Sequence, residues 1–244
     1  MALRNWRSVF FLFGGLLAAA SAATPAPQVF VVGDVTKIGR QARVPDAANP
    51  VYYVALTPDQ PKTAALDPKA PVRAEVLARV ADSLARRHYL PSVPGHPPEI
   101  VLSFWWGTAD PQLVNFGTDD ALEETSFNER GMDALVGAGK KQELMSWHSK
   151  DLRAAMREER HYLIVMAFDY AAAVQKQKKI LWVTRTSTPA SRVDLAGAIE
   201  ALVVTAGPAF GRDAAPSWID SGKVRNESVT IAPFEVKETV PDKK

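Results

Sequence analysis

Cysteine is absent from the 244 residues. Its absence excludes a disulfide scaffold, a thiolate zinc site, an iron–sulfur cluster and a cysteine nucleophile. It also excludes a lipid anchor on cysteine. A dominant charge is lacking too: 29 basic side chains face 27 acidic ones, for a formal net charge of +2. Such balance argues against a general nucleic-acid binder, which carries a basic excess on one face. Catalytic spacings are equally scarce. The four histidines, His88, His96, His148 and His161, form neither HExxH nor a His-x-His pair. Neither G-x-S-x-G nor S-x-x-K occurs. Gly137-Ala138-Gly139-Lys140 falls short of a phosphate loop: Ala134 takes the first glycine position, and Lys141 stands where Ser or Thr would bind magnesium. No catalytic, cofactor-binding or metal-ligating residue is assigned.

What is present begins with an export pattern. Arg4 and Arg7 precede a nine-residue apolar run at 9–17 (VFFLFGGLL), and small residues including Ala20-Ser21-Ala22 follow. This is the order of a secretory signal peptide over residues 1–22, with cleavage between Ala22 and Ala23. Extended to Ala23 the run has 15 residues, short of the roughly 20 that a spanning helix needs. Without residues 1–22, 27 bases meet 27 acids in 222 residues. The mature chain is therefore expected to be neutral, periplasmic or secreted, and without a transmembrane segment. Its size permits a full core without cross-links.

Thirteen of the 18 prolines lie between Pro25 and Pro111, so short elements joined by stiff loops are expected there. Residues 29–32 (VFVV) and 51–56 (VYYVAL) read as strands. Residues 70–89 read as a helix, with Val72, Val76, Val80 and Leu84 at spacing four. Residues 99–106 (EIVLSFWW) form the clearest strand, with Ile100, Leu102, Phe104 and Trp106 on one face and Val101, Ser103 and Trp105 on the other. A second helix is expected at 141–159, strands at 162–170 and 179–186, a third helix at 192–206, and one more strand at 228–232. The order β-β-α-β-loop-α-β-β-α indicates one α+β domain over 23–216, a mostly antiparallel sheet with helices on one face, followed by a polar extension at 217–244.

Two features carry the remaining functional signal. Segment 107–131 is acidic, with Asp119, Asp120, Glu123 and Glu124 at its centre. It lacks the alternating spacing of a calcium loop, so it reads as a solvated loop able to attract a basic partner. Trp105 and Trp106 are consecutive, so one faces each side of the sheet, and either could serve as a binding platform if left uncovered. His148 falls on the apolar stripe of the expected second helix, as a structural histidine would.

The helix end LARRHYLPS, the proline-broken loop and the strand PEIVLSFWWG resemble a family of small bacterial envelope proteins, many of them lipoproteins, catalogued as a domain of unknown function. The run YLIVMAFDYAAAVQKQKKILWVTRTST resembles that family's hairpin, with Asp169 as its strand-ending acid and Trp182 as its tryptophan. The closing helix 192–206, then Pro208 and Phe210, also fits, so the resemblance spans roughly 50–210. It implies an envelope location and brings no catalytic residues. This chain differs in lacking the lipobox cysteine, in its long acidic segment and in its extended ends. The expected function is a non-enzymatic interaction or structural module, its partner an envelope protein or glycan. The alternative is a secreted hydrolase or glycan- or small-ligand-binding protein using Trp105, Trp106, His148 and the acidic loop.

Overall fold

The computed structural model of the chain describes residues 27–56, 72–110, 132, 135–136, 154–223 and 236–237. Residues 1–22 with Ala22 and Ala23, the acids Asp119, Asp120, Glu123 and Glu124, His148, and the strand expected at 228–232 lie outside the described residues.

Strand β1 (Gln28–Val35) is followed by β2 (Val51–Leu56), helix α1 (Arg73–Ala85), β3 (Tyr89–Pro91) and β4 (Ile100–Ala109). After the segment 111–153 come β5 (Arg160–Asp169), the five-residue helix α2 (Tyr170–Val174), β6 (Ile180–Pro189), α3 (Leu195–Ala206), β7 (Ala214–Asp220) and the two-residue β8 (Val236–Lys237). They form one sheet of order β3-β2-β4-β5-β6-β1-β7, with β8 also pairing β2. This is the expected α+β class, but the sheet is mixed. The β4-β5, β5-β6, β6-β1 and β1-β7 pairs are antiparallel, whereas β2 pairs in parallel with β3, β4 and β8. The parallel part has a simple cause: α1 lies between β2 and β4, and neighbouring strands joined through a helical crossover run the same way.

Period-two alternation sets the main core. Ile100, Leu102, Phe104 and Trp106 of β4, Leu163, Val165 and Ala167 of β5, and Val29 and Val31 of β1 meet Val76, Val80 and Leu84 of α1 and Ile199, Leu202 and Val203 of α3. The two long helices thus pack on one face. The opposite face is not bare. Phe30 and Val32 meet Val136 and Ala155, and Ala109 and Tyr162 meet Met132 and Leu135. Met132, Leu135, Val136 and Ala155 therefore cover part of the second face.

Several boundaries differ from the sequence reading. Helix α1 ends at Ala85, because His88 takes a left-handed conformation (φ 62°) and Tyr89 then starts β3. Val72 is the N-terminal flanking residue of α1, 62% exposed, and not part of its stripe. Strand β4 continues through Ala109, so Gly107 to Ala109 belong to the sheet rather than to the acidic loop. The described end of the expected 141–159 helix turns at Ala154–Arg157. Tyr170 opens α2, where Asp169 accepts from the Ala172 N–H at 2.7 Å. The domain also extends past 216: β7 runs to Asp220 along β1. Pro216 and a register shift interrupt this edge strand, an arrangement that discourages edge-to-edge pairing.

Candidate functional site

A cleft of about 340 Å³ opens at the end of the sheet where β2, β4 and β6 begin and β5 ends. Strand pairing builds its floor. Ile100 faces Asp169 across β4 and β5, and the Tyr170 N–H donates to the Glu99 carbonyl at 3.0 Å. The chain leaving β1 supplies one wall. Thr36 N–H donates to the Leu181 carbonyl at 2.9 Å, and its hydroxyl donates to the Ile180 carbonyl at 2.8 Å. Gly39 packs so closely there that a Cβ would lie 1.9 Å from the Leu181 oxygen. Arg43 ties this wall to the floor. Its guanidinium donates to the Asn49 carbonyl, to the Pro50 carbonyl at 2.9 Å and to Glu99 Oε1 at 2.6 Å.

The deep side of the cleft is aromatic. Tyr89 and Trp182 have ring centroids 5.6 Å apart, and Phe210 lies 6.0 Å beyond Trp182. Burial pushes the Tyr89 phenol up to about 12, opposed by a hydrogen bond from Trp182 and by the nearby charges of Arg87 and Arg212. Both cleft carboxylates have structural partners: Glu99 pairs with Arg43, and Asp169 caps α2. On the outer loop, Asp46 accepts from the Asn49 and Ala48 N–H groups, which hold its carboxyl below the usual range.

Among the described residues, the consecutive tryptophans and the histidines singled out in the sequence do not line the cleft. Trp106 is 3% exposed in the main core. Trp105 is half-buried on the opposite face, against the cluster of Ala109, Met132, Leu135 and Tyr162. Both stand five or six residues along β4 from the cleft, roughly 17–20 Å at the rise of a strand. His161 is buried between the Thr108 hydroxyl on Nδ1 at 2.8 Å and the Val193 carbonyl on Nε2 at 2.8 Å. A carbonyl only accepts, so Nε2 carries a proton and donates it to Val193. His96 stacks on Tyr52 at 4.5 Å. Among the described residues no group of three or more His, Asp or Glu side chains is placed to hold a metal ion.

Asp169 and Trp182, the two landmarks of the family resemblance, both line the cleft. Arg43, Tyr89, Glu99 and Tyr170 complete its polar and aromatic lining and were not singled out in the sequence. Only the strand end followed by Asp-Tyr-Ala-Ala-Ala, a capping pattern, marked any of them locally.

No family model matches the chain, and no curated protein sequence matches it. Among solved structures, the fold is similar to a dodecamer of a PelC variant from Paraburkholderia phytofirmans, at 11% identity and a TM-score of 0.37, covering 75% of this chain and 98% of that one. It is also similar to a PDZ domain protein from Parabacteroides distasonis, at 11% identity and a TM-score of 0.42, covering 80% of this chain and 39% of that one.

Proposed function

We propose that this chain is an exported protein of the bacterial envelope, periplasmic or secreted, and that its domain works as a binding module through the cleft at the sheet end. Export rests on the leader pattern of residues 1–22. Among the described residues no helix is long and apolar enough to cross a membrane. The observation that carries the binding reading is the state of the cleft's own groups. A concave site of about 340 Å³ offers an aromatic wall, while its two carboxylates are already engaged by Arg43 and by the N-terminus of α2. Shape and polar rim without a free base fit recognition better than bond cleavage. The alternative, a secreted hydrolase or a glycan- or small-ligand-binding protein using Trp105, Trp106, His148 and the acidic loop, is disfavoured at its tryptophans, since Trp106 is buried in the main core and Trp105 packs against the opposite cluster.

Two measurements test this. Mass analysis of the chain secreted by a bacterial host should give a mature start at Ala23, and an intact leader on cytoplasmic protein overturns the export reading. Crosslinking in envelope extract should capture a specific partner that Ala171→Trp, which fills the cleft from an exposed position, abolishes. Equal capture by parent and variant overturns the assignment of binding to the cleft.

A further inference from the structure

Two loops border the mouth of the cleft, and hydrogen bonds fix them side by side. The first, residues 36–46, leaves β1 and supplies Gly39, Ala42, Arg43 and Val44 to the lining. The second, residues 175–179, joins β6 to α2, whose Ala171 also lines the cleft. The Thr36 hydroxyl donates to the Ile180 carbonyl at 2.8 Å, so Lys37 and Lys179 each stand one residue from that bond. The second loop is itself held down. The Gln177 N–H donates to the Ala172 carbonyl at 2.9 Å, and the Asp169 N–H to the Lys179 carbonyl at 3.0 Å.

Both loops are basic. They carry Lys37, Arg40, Arg43, Lys176, Lys178 and Lys179 against one acid, Asp46. The other carboxylates at this end are engaged: Glu99 pairs with Arg43, Asp213 pairs with Arg40, and Asp169 caps α2. Lys37, Lys178 and Lys179 are exposed and make no ion pair among the described residues. Residues 23–244 balance 27 bases with 27 acids, so this excess is local. The first loop also exposes apolar side chains. Ile38 is 47% and Val44 73% exposed, two of the four large hydrophobic side chains exposed among the described residues. They alternate with bases, in Lys37-Ile38-Gly39-Arg40 and in Arg43-Val44.

We infer that this end of the domain docks on the surface of an anionic phospholipid bilayer, with Lys37, Lys178 and Lys179 at the headgroups and Ile38 and Val44 entering the layer beneath them. Lysines are attracted to the negative headgroup layer, and aliphatic side chains set between them bury apolar surface at its boundary with the acyl chains. An anionic polysaccharide would match the lysines equally well but would leave Ile38 and Val44 in water. Docking in this way turns the mouth of the cleft towards the membrane. It needs only the outer loops, so it goes beyond the binding reading above and holds whatever the cleft itself takes.

The test is co-sedimentation of the full mature chain with vesicles of mixed phosphatidylglycerol and phosphatidylcholine, and with vesicles of phosphatidylcholine alone. The chain should sediment with the mixed vesicles only, and added salt should weaken the binding by screening exposed charges. Lys178→Gln with Lys179→Gln should weaken it roughly twentyfold, at about fivefold for each lysine near an anionic surface. Arg157 and Arg192 are exposed bases at the opposite end of the sheet, one before β5 and one after β6. Arg157→Gln with Arg192→Gln should change the binding by less than about twofold, because screening confines each charge to its own surroundings. Ile38→Ser with Val44→Ser removes no charge and should still weaken binding about fivefold or more. All six side chains are exposed, so urea midpoints should match the parent's. Absence of sedimentation with the mixed vesicles, undiminished binding in the lysine variant, or an equal loss in the Arg157 and Arg192 variant overturns the docking surface. Undiminished binding in the Ile38 and Val44 variant also overturns it, and assigns the lysines to an anionic polymer instead.

Discussion

Arg160 offers the sharpest test of how the second face is held. Its side chain is fully buried. Nε donates to the Ser187 hydroxyl at 3.0 Å and Nη2 to the Ser187 carbonyl at 3.2 Å, while Nη1 pairs with Glu158. The guanidinium also lies 5.2 Å from the Trp218 ring centre, and that ring meets Phe30 edge-on at 5.0 Å. Burial of the charge lowers its pKa to about 10 despite the attraction of Glu158. Arg160→Ala removes two methylenes, about 1.6 kcal/mol at the usual transfer value. It strips Ser187 of its partner, about 1–3 kcal/mol, and ends a ring contact of about 1 kcal/mol. Against this, the cost of desolvating a guanidinium disappears, a saving of several kcal/mol in real interiors. Glu158 is 39% exposed and can turn to water, so no charge is stranded. The losses, roughly 4–6 kcal/mol together, exceed that saving and leave a net cost of about 1–2 kcal/mol for Ala. Arg160→Met keeps the stem and drops the charge, so it should cost under about 1.5 kcal/mol. Urea unfolding reads this as a lowered midpoint at constant slope. An alanine variant within about 0.5 kcal/mol of the parent, or a methionine variant as damaged as alanine, refutes the reasoning.

Other consequences follow from the same geometry. Tyr53 is 1% exposed and its hydroxyl has no hydrogen-bond partner among the described residues, so Tyr53→Phe should raise the free energy of unfolding in urea titration by roughly 1 kcal/mol. The Tyr89 and Tyr162 phenols are pushed up to about 12 by burial, from about 10 when unfolded. Their stabilisation is complete below pH 10 and is lost as pH rises from about 10 to 12, because the unfolded chain sheds these protons first. Arg160, with its lowered value, opposes this as a single group. Alkaline titration should therefore show tyrosinate absorbance and loss of near-ultraviolet dichroism appearing together; ionisation of these phenols well below the unfolding transition would contradict it. Gly211→Ala should destabilise through both its left-handed φ and its clash with the Tyr89 hydroxyl, and adding Tyr89→Phe should recover part of the loss, as a double-mutant cycle measures. Asp194→Ala removes the acceptor of the Gly197 N–H at 2.8 Å and should lower stability by about 1 kcal/mol, checked by thermal melting.

Much of the architecture was legible in the sequence because it rests on local periodicity. The two faces of β4, the stripe of α1 and the helix before Pro208 all follow from which residues are apolar and how they are spaced. Boundaries were less legible. His88 in a left-handed turn and the cap at Asp169 are single-residue events with weak local signals. The candidate site was nearly invisible, because its parts are far apart in the chain. Arg43 meets Glu99 across 56 residues, and Tyr89 meets Gly211 across a longer span still.

Sequence alone decided the export pattern, the absence of cysteine chemistry, the α+β class and which faces of the strands turn inward. These depend on composition and on short-range spacing, which need no knowledge of what lies across the sheet. Tertiary structure alone decided that the sheet is mixed, that both consecutive tryptophans are packed, and that an aromatic-walled cleft forms at the strand ends away from them. Those outcomes depend on strand order and register, which bring distant segments to one place. A periodic pattern shows that a strand has a buried face but does not name the neighbours that bury it.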